Sequence, residues 1–122
     1  MVNKPKIQGT NFETKTVNLL KANGFKANRI AEGGINDEGD IECFTTNDRI
    51  ILEAKHRANL NVHQTLHKAK GKTDDHVILA WKKTKRKNNS KVRVADGERV
   101  VYIVDEEFML KLLKNYKGDL YG

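Results

Sequence analysis

A chain of 122 residues fits one domain, spanning residues 1–122, and is too short for a (β/α)8 barrel, which needs roughly 250 residues. Its 23 Lys and Arg against 16 Asp and Glu leave a net charge of +7, which points to a polyanionic partner, nucleic acid before membrane. The single cysteine, Cys43, excludes an internal disulfide and fits a reducing, cytoplasmic setting, in a prokaryote or for a phage protein in its host. No apolar run approaches the ~20 residues of a membrane span, and residues 1–6 lack the apolar core of a secretory signal.

Residues 1–8 read as a basic tail. A helix is predicted over residues 10–23. Thr10 and Glu13 have capping-box spacing, Phe12, Val17, Leu19, Leu20 and Ala22 form its apolar stripe, and Gly24 is a natural stop. Residues 25–30 read as a short strand and residues 31–39, with three glycines and three carboxylates, as a loop. Strands over 40–45 and 49–55 are joined by a turn at Asn47-Asp48. A second helix over 59–72 turns Val62, Leu66 and Ala69 inward. Residues 76–81 are a nearly continuous apolar run that suits a buried strand ending in Trp81. Residues 82–93 carry seven positive charges and no acid, and read as an exposed, flexible basic loop. A strand or hairpin follows within 92–104. A closing helix over 105–116 carries Phe108, Met109, Leu112, Leu113 and Tyr116 as a core stripe. This is an α/β order, with a mixed β-sheet flanked by helices on both faces.

The chemistry concentrates in the hairpin. With a two-residue turn, Asp40 lies opposite Lys55 and Glu42 opposite Glu53. Alternation then puts these four on one face and Ile41, Cys43, Ile50, Leu52 and Ala54 on the other. Carboxylates facing one another repel, and a hard divalent cation such as Mg2+ relieves that repulsion through oxygen ligands. Held by Asp40 and Glu53, such an ion acidifies a water and neutralises charge on a scissile phosphate. Lys55 can orient or deprotonate that water, or stabilise the pentavalent phosphorane. The same pattern also fits a solvated hairpin face with no ligand.

Asp40, twelve residues, then Glu53-Ala54-Lys55 resembles the D-x(n)-(D/E)-x-K signature of the PD-(D/E)xK nuclease superfamily. The opening, Gly9-Thr10-Asn11-Phe12-Glu13 with Gly24-Phe25 at the helix end, is similar to that of archaeal-type Holliday junction resolvases; the resemblance covers about residues 8–80. It implies a restriction-endonuclease-like fold and a Mg2+-dependent endodeoxyribonuclease, with Mn2+ able to substitute. It implies Asp40 and Glu53 as metal ligands, with Glu13 and the Ala54 carbonyl assisting, and Lys55 as the catalytic lysine. It further implies a homodimer, because a four-way junction takes two paired incisions. Gly39 replaces the usual proline, and Glu42 stands where an apolar residue is usual, as a possible addition around the site.

The remaining signals are less specific. His63 and His67 have the i, i+4 spacing of a zinc pair but lack the glutamate a zincin needs at position 64. Gln64 sits where a polar residue near the active site is common in the superfamily. Lys68, Lys70 and Lys72, with Lys82, Lys83, Lys85, Arg86 and Lys87, lack interspersed acids and are read as DNA contacts. Two other readings stay open: a nicking or structure-unspecific nuclease from a phage or mobile element, and a non-catalytic DNA-binding protein on the same fold.

Overall fold

A computed structural model describes residues 4–30, 39–86, 93–95 and 100–116. The elements run α1 (Lys4–Ala22), β1 (Lys26–Arg29), β2 (Ile41–Phe44), β3 (Arg49–Arg57), α2 (Val62–Lys70), β4 (His76–Arg86), β5 (Arg93–Ala95), β6 (Val101–Ile103) and α3 (Glu106–Lys114). The sheet is mixed. β1, β2 and β3 form an antiparallel meander, β3 and β4 are parallel, and β4 pairs antiparallel with both β5 and β6. α2 is the crossover that two parallel neighbours require.

Two apolar layers sandwich this sheet. On one face Ile41, Cys43, Ile50 and Leu52 pack with Ala27, with Val17 of α1 and with Phe108 of α3. On the other, Ile51 and Val77 pack beneath Ala69 and Leu66 of α2. The α/β architecture is therefore the expected one, with α1 and α3 on one side and α2 on the other. His76 stacks on Phe108 with ring centroids 4.4 Å apart.

Several local expectations are corrected. α1 begins at Lys4, so residues 4–8 are helical rather than tail. Pro5 is no obstacle there, because its fixed φ and missing N–H suit a first helical turn. Thr10 and Glu13 consequently lie inside α1, and no capping box forms. Phe12 and Val17 are buried, but Leu19 and Ala22 are exposed and Thr16 takes an inward position, its hydroxyl donating to the Phe12 carbonyl at 2.8 Å. Gly24, at φ +89°, ends the helix as expected. Its N–H bonds the Lys21 carbonyl, and that of Phe25 bonds Leu20.

The hairpin register differs by two residues from the expected one. Phe44 faces Arg49 and Glu42 faces Ile51. The connection is residues 45–48, closed by the Thr45 N–H on the Asp48 carbonyl (2.9 Å) and the Asp48 N–H on the Thr45 hydroxyl (3.1 Å). These local bonds set a longer loop than a two-residue turn. A slip of two keeps every side chain on its face, so the division into an apolar and an acidic face survives.

Residues 82–86 are not loop. They continue β4, and β5 pairs with residues 84–86. The closing helix is also not a core stripe: only Phe108 is buried, while Met109, Leu112, Leu113 and Tyr116 are 43–61% exposed. α3 is anchored by Phe108, which reaches into the core. Asp105 caps it by accepting from the Phe108 N–H (2.9 Å), and Lys111 pairs with Asp48 (3.0 Å) in the hairpin loop.

Leu52→Ala should cost ~2–5 kcal/mol, the range for emptying a packed leucine site, whereas Leu113→Ala on the exposed face should stay within about 0.5 kcal/mol. Urea titrations should show a lower midpoint for the first with unchanged slope. Equal midpoints would place the core elsewhere.

Candidate active site

Asp40 is fixed by the backbone before its side chain acts. Its carbonyl accepts from the Ile30 N–H (2.9 Å), and its own N–H reaches the Leu52 carbonyl (3.3 Å). The residue before it, Gly39, has φ +140°. A Cβ there would lie 2.5 Å from Ile51 Cγ2 and 3.3 Å from Glu53 Oε2. A proline could not adopt this φ, which accounts for glycine at the position. The register of β2 and β3, carried one residue past the Ile41–Leu52 pair, sets Asp40 opposite Glu53. Asp40 Oδ2 accepts from the Ala54 N–H at 2.8 Å, which orients the carboxylate across the strands.

Glu53 is only 7% exposed. Its Oε1 lies 3.4 Å from Lys55 Nζ, and its Oε2 is buried with no hydrogen-bond partner among the described residues. Burial pushes the Glu53 carboxyl above the usual carboxylate range and the Asp40 charge adds to this, while Lys55 and Lys72 pull the other way. A buried carboxylate with an orphaned oxygen beside a second carboxylate is costly unless a cation joins them. The oxygen donors fit a hard divalent ion.

Beside this pair a cleft of about 340 Å3 opens between β3 and α2, lined by Glu53, Lys55, Arg57, Gln64, Lys68 and Lys72 among others. Asn61 starts α2 at the cleft edge by accepting from the Gln64 N–H (3.1 Å). The arrangement is an acidic centre with a cationic wall, suited to a polyanion carrying a group that needs a metal.

The structure thus brings Asp40, Glu53, Lys55, Gln64, Lys68 and Lys72 together. It does not gather the rest. Glu13 is gripped by Arg29, through Nε at 3.0 Å and the second guanidinium nitrogen at 2.8 Å. Among the described residues no three His, Cys, Asp or Glu side chains form a metal-holding group, so neither Glu13 nor the exposed His63 and His67 complete one. Glu42, opposite Ile51, pairs with Arg49 (2.9 Å), which also holds Asp75 (2.9 Å). Lys70 pairs with Asp105 rather than facing the cleft. Lys82 alternates to the face opposite Lys83 and Lys85, which are exposed. The side chain of Arg86 and the whole of Lys87 lie outside the described residues. Trp81 is half-buried and donates from its indole N–H to the Arg57 carbonyl (3.0 Å). Arg57, which belongs to the same acid-free basic run as Lys68 and Lys72, lines the cleft with them.

No protein-family model matches this chain, and no curated protein matches it. Among solved structures it is similar to Hjc, a Holliday junction resolvase from the archaeal hyperthermophile Archaeoglobus fulgidus. Identity is 22%, the match covers 84% of this chain and 93% of that one, and the TM-score is 0.46.

Because the folded-state pKa of Glu53 is raised, the native state holds its proton to higher pH than the unfolded chain does. Stability must therefore fall as pH rises through that interval. With divalent ions chelated, Glu53→Gln should melt above the wild type at pH 7, and the difference should close near pH 4. A lower melting temperature at pH 7 would show that the Lys55 pair outweighs burial.

Proposed function

We propose that the chain is a divalent-metal-dependent endonuclease that hydrolyses phosphodiester bonds in branched DNA, the four-way junction before other forms. The observation that carries this reading is the buried Glu53 carboxylate, with an oxygen left unbonded among the described residues, beside Asp40 at the edge of a cationic cleft. The resemblance of the Gly9–Glu13 and Gly24-Phe25 segments to resolvases supports the choice of substrate. Asp40 and Glu53 would hold Mg2+ or Mn2+. The Ala54 carbonyl and Glu13 are the further ligands the resemblance implies, Glu13 on leaving Arg29. The ion would supply charge neutralisation at the phosphate and a more acidic water.

The chain's own residues do the rest. The Lys55 ammonium, beside Glu53, donates to the attacking water or to the phosphoryl oxygens as charge builds on them. Arg57, Lys68 and Lys72 line the cleft where they neutralise phosphates on either side of the break, and the Gln64 amide offers a neutral donor. A homodimer suits two incisions related by a two-fold axis. The exposed apolar side chains Met109, Leu112, Leu113 and Tyr116, along α3 and just after it, support it. The reading places the protein in the cytoplasm; no helix among the described residues is long and apolar enough to cross a membrane.

A labelled four-way junction should be cut in Mg2+ and not in EDTA, in preference to duplex, flap and single strand. Asp40→Asn should abolish cutting while binding persists. Lys55→Ala should lose ~10²–10⁴-fold in single-turnover rate, the span of a lost acid–base group, and Lys55→Arg nearly as much, because a planar, more basic fork does not replace a compact ammonium. Wild-type rates in Lys55→Arg would remove the lysine from the mechanism. Equal cutting of all substrates would favour an unspecific nuclease, and binding without cutting a DNA-binding protein.

A further inference from the structure

β3 ends at Arg57, whose register partner is Lys83. Residues 84–86 of β4 pair instead with β5, Thr84 with Ala95, Lys85 with Val94 and Arg86 with Arg93. The chain here is a two-stranded antiparallel ribbon that runs on past the end of β3. Its burial alternates sharply. Lys83 and Lys85 are exposed, whereas Thr84 between them is 1% exposed. On β4 the ribbon therefore turns Thr84 toward the body of the protein and Lys83 and Lys85 to the opposite, cationic face.

That cationic face is continuous with the cleft. Register partners in a parallel pair share a face, so Lys83 stands beside Arg57 and Lys85 follows one period further. Arg57 lines the cleft together with Glu53 and Lys55. A row of cations, Lys55, Arg57, Lys83 and Lys85, thus leads from the two carboxylates out along the ribbon. The segment 82–93 carries no acid, unlike a surface that is charged only for solubility, where signs are mixed.

We propose that this β4–β5 ribbon is a second DNA contact. It lies along the duplex arm leaving the cleft and holds its backbone away from the scissile phosphate. This rests on the nuclease reading above. The reach follows from strand geometry: Leu79 is the partner of Glu53, and Lys85 is six residues further along β4. At ~3.3 Å per residue this is about 20 Å, or about six base pairs at 3.4 Å each. A two-stranded ribbon is also an element that the roughly 12 Å major groove of B-DNA admits.

The test is binding in EDTA to four-way junctions whose arms are capped by hairpin loops and are either about 5 or about 12 base pairs long. The ribbon variant is Lys83→Gln with Lys85→Gln. The control is Lys15→Gln with Lys21→Gln, which removes the same charge from exposed positions on α1, across the sheet. On long arms the ribbon variant should bind about tenfold or more weakly, and its slope of log K against log salt should be shallower by about 1.8, two contacts at ~0.9 each. On short arms it should match the wild type, and the control should match the wild type on both. A loss independent of arm length, or an equal loss in the control, would overturn the proposal by showing a general charge effect. Absence of binding at both lengths would overturn it together with the nuclease reading. Wild-type protein that binds with the expected arm-length dependence but does not cut in Mg2+ would sink the nuclease reading alone.

Discussion

The structure depends on one constraint: the β2–β3 hairpin must bury one face completely. Ile41 is fully buried and Leu52 nearly so, with Cys43 and Ile50 beside them against α1 and α3. Because side chains alternate, this leaves Asp40, Ile51, Glu53, Lys55 and Arg57 no choice of side. Along that second face the cover thins. Ile51 lies under α2, Glu53 sits at the margin, Lys55 is half-buried and Arg57 is exposed. A single strand therefore grades from dry to wet within one face. The carboxylate is placed where desolvation acts on it, and the cations are placed where a large anion can reach them.

Arginines sort the remaining acids. Arg49 binds Glu42 and Asp75, tying the hairpin to the loop before β4, and Arg29 binds Glu13, tying β1 to α1. These pairs are partly exposed, so each contributes little to stability, ~0–1 kcal/mol. Their effect is on geometry. Glu42 is drawn away from the Asp40–Glu53 pair, although it shares their face and lies two residues from Asp40. The pair beside the cleft is then left with Lys55 and Lys72 as the cations acting on Glu53.

How much of this was legible in the sequence depends on which physical rule set each feature. The two-faced hairpin was legible because period-two alternation is insensitive to a slip of two residues. The register was not, since it turns on the Thr45 hydroxyl and the Asp48 carbonyl closing a longer loop. The start of α1 was hidden by the Thr10–Glu13 spacing, which matches a capping box although both residues lie inside the helix, whose first turn accepts Pro5. In α3, periodicity marked Met109, Leu112, Leu113 and Tyr116 as one apolar face, but periodicity cannot say whether the cover is this chain or another. In the candidate site, Asp40, Glu53 and Lys55 were visible as a spaced motif. The tie between Glu13 and Arg29 was not, because it joins residues sixteen positions apart through tertiary packing.

The acid pair also couples the proposed chemistry to folding. In the absence of a cation the native state carries the desolvation of Glu53 and its repulsion from Asp40, and the unfolded chain carries neither. A divalent ion that binds only the folded pair would stabilise it by RT ln(1 + [L]/Kd), about 2.7 kcal/mol at a hundredfold excess over Kd. That is a sizeable share of the 5–15 kcal/mol typical of a domain. The buried layer of Ile41, Ile50 and Leu52 on the reverse face of the same strands would then have to hold the pair in place without an ion. The apolar face is in this sense part of the candidate site: it fixes the two carboxylates side by side, and a cation bound between them would gain affinity from the repulsion it removed.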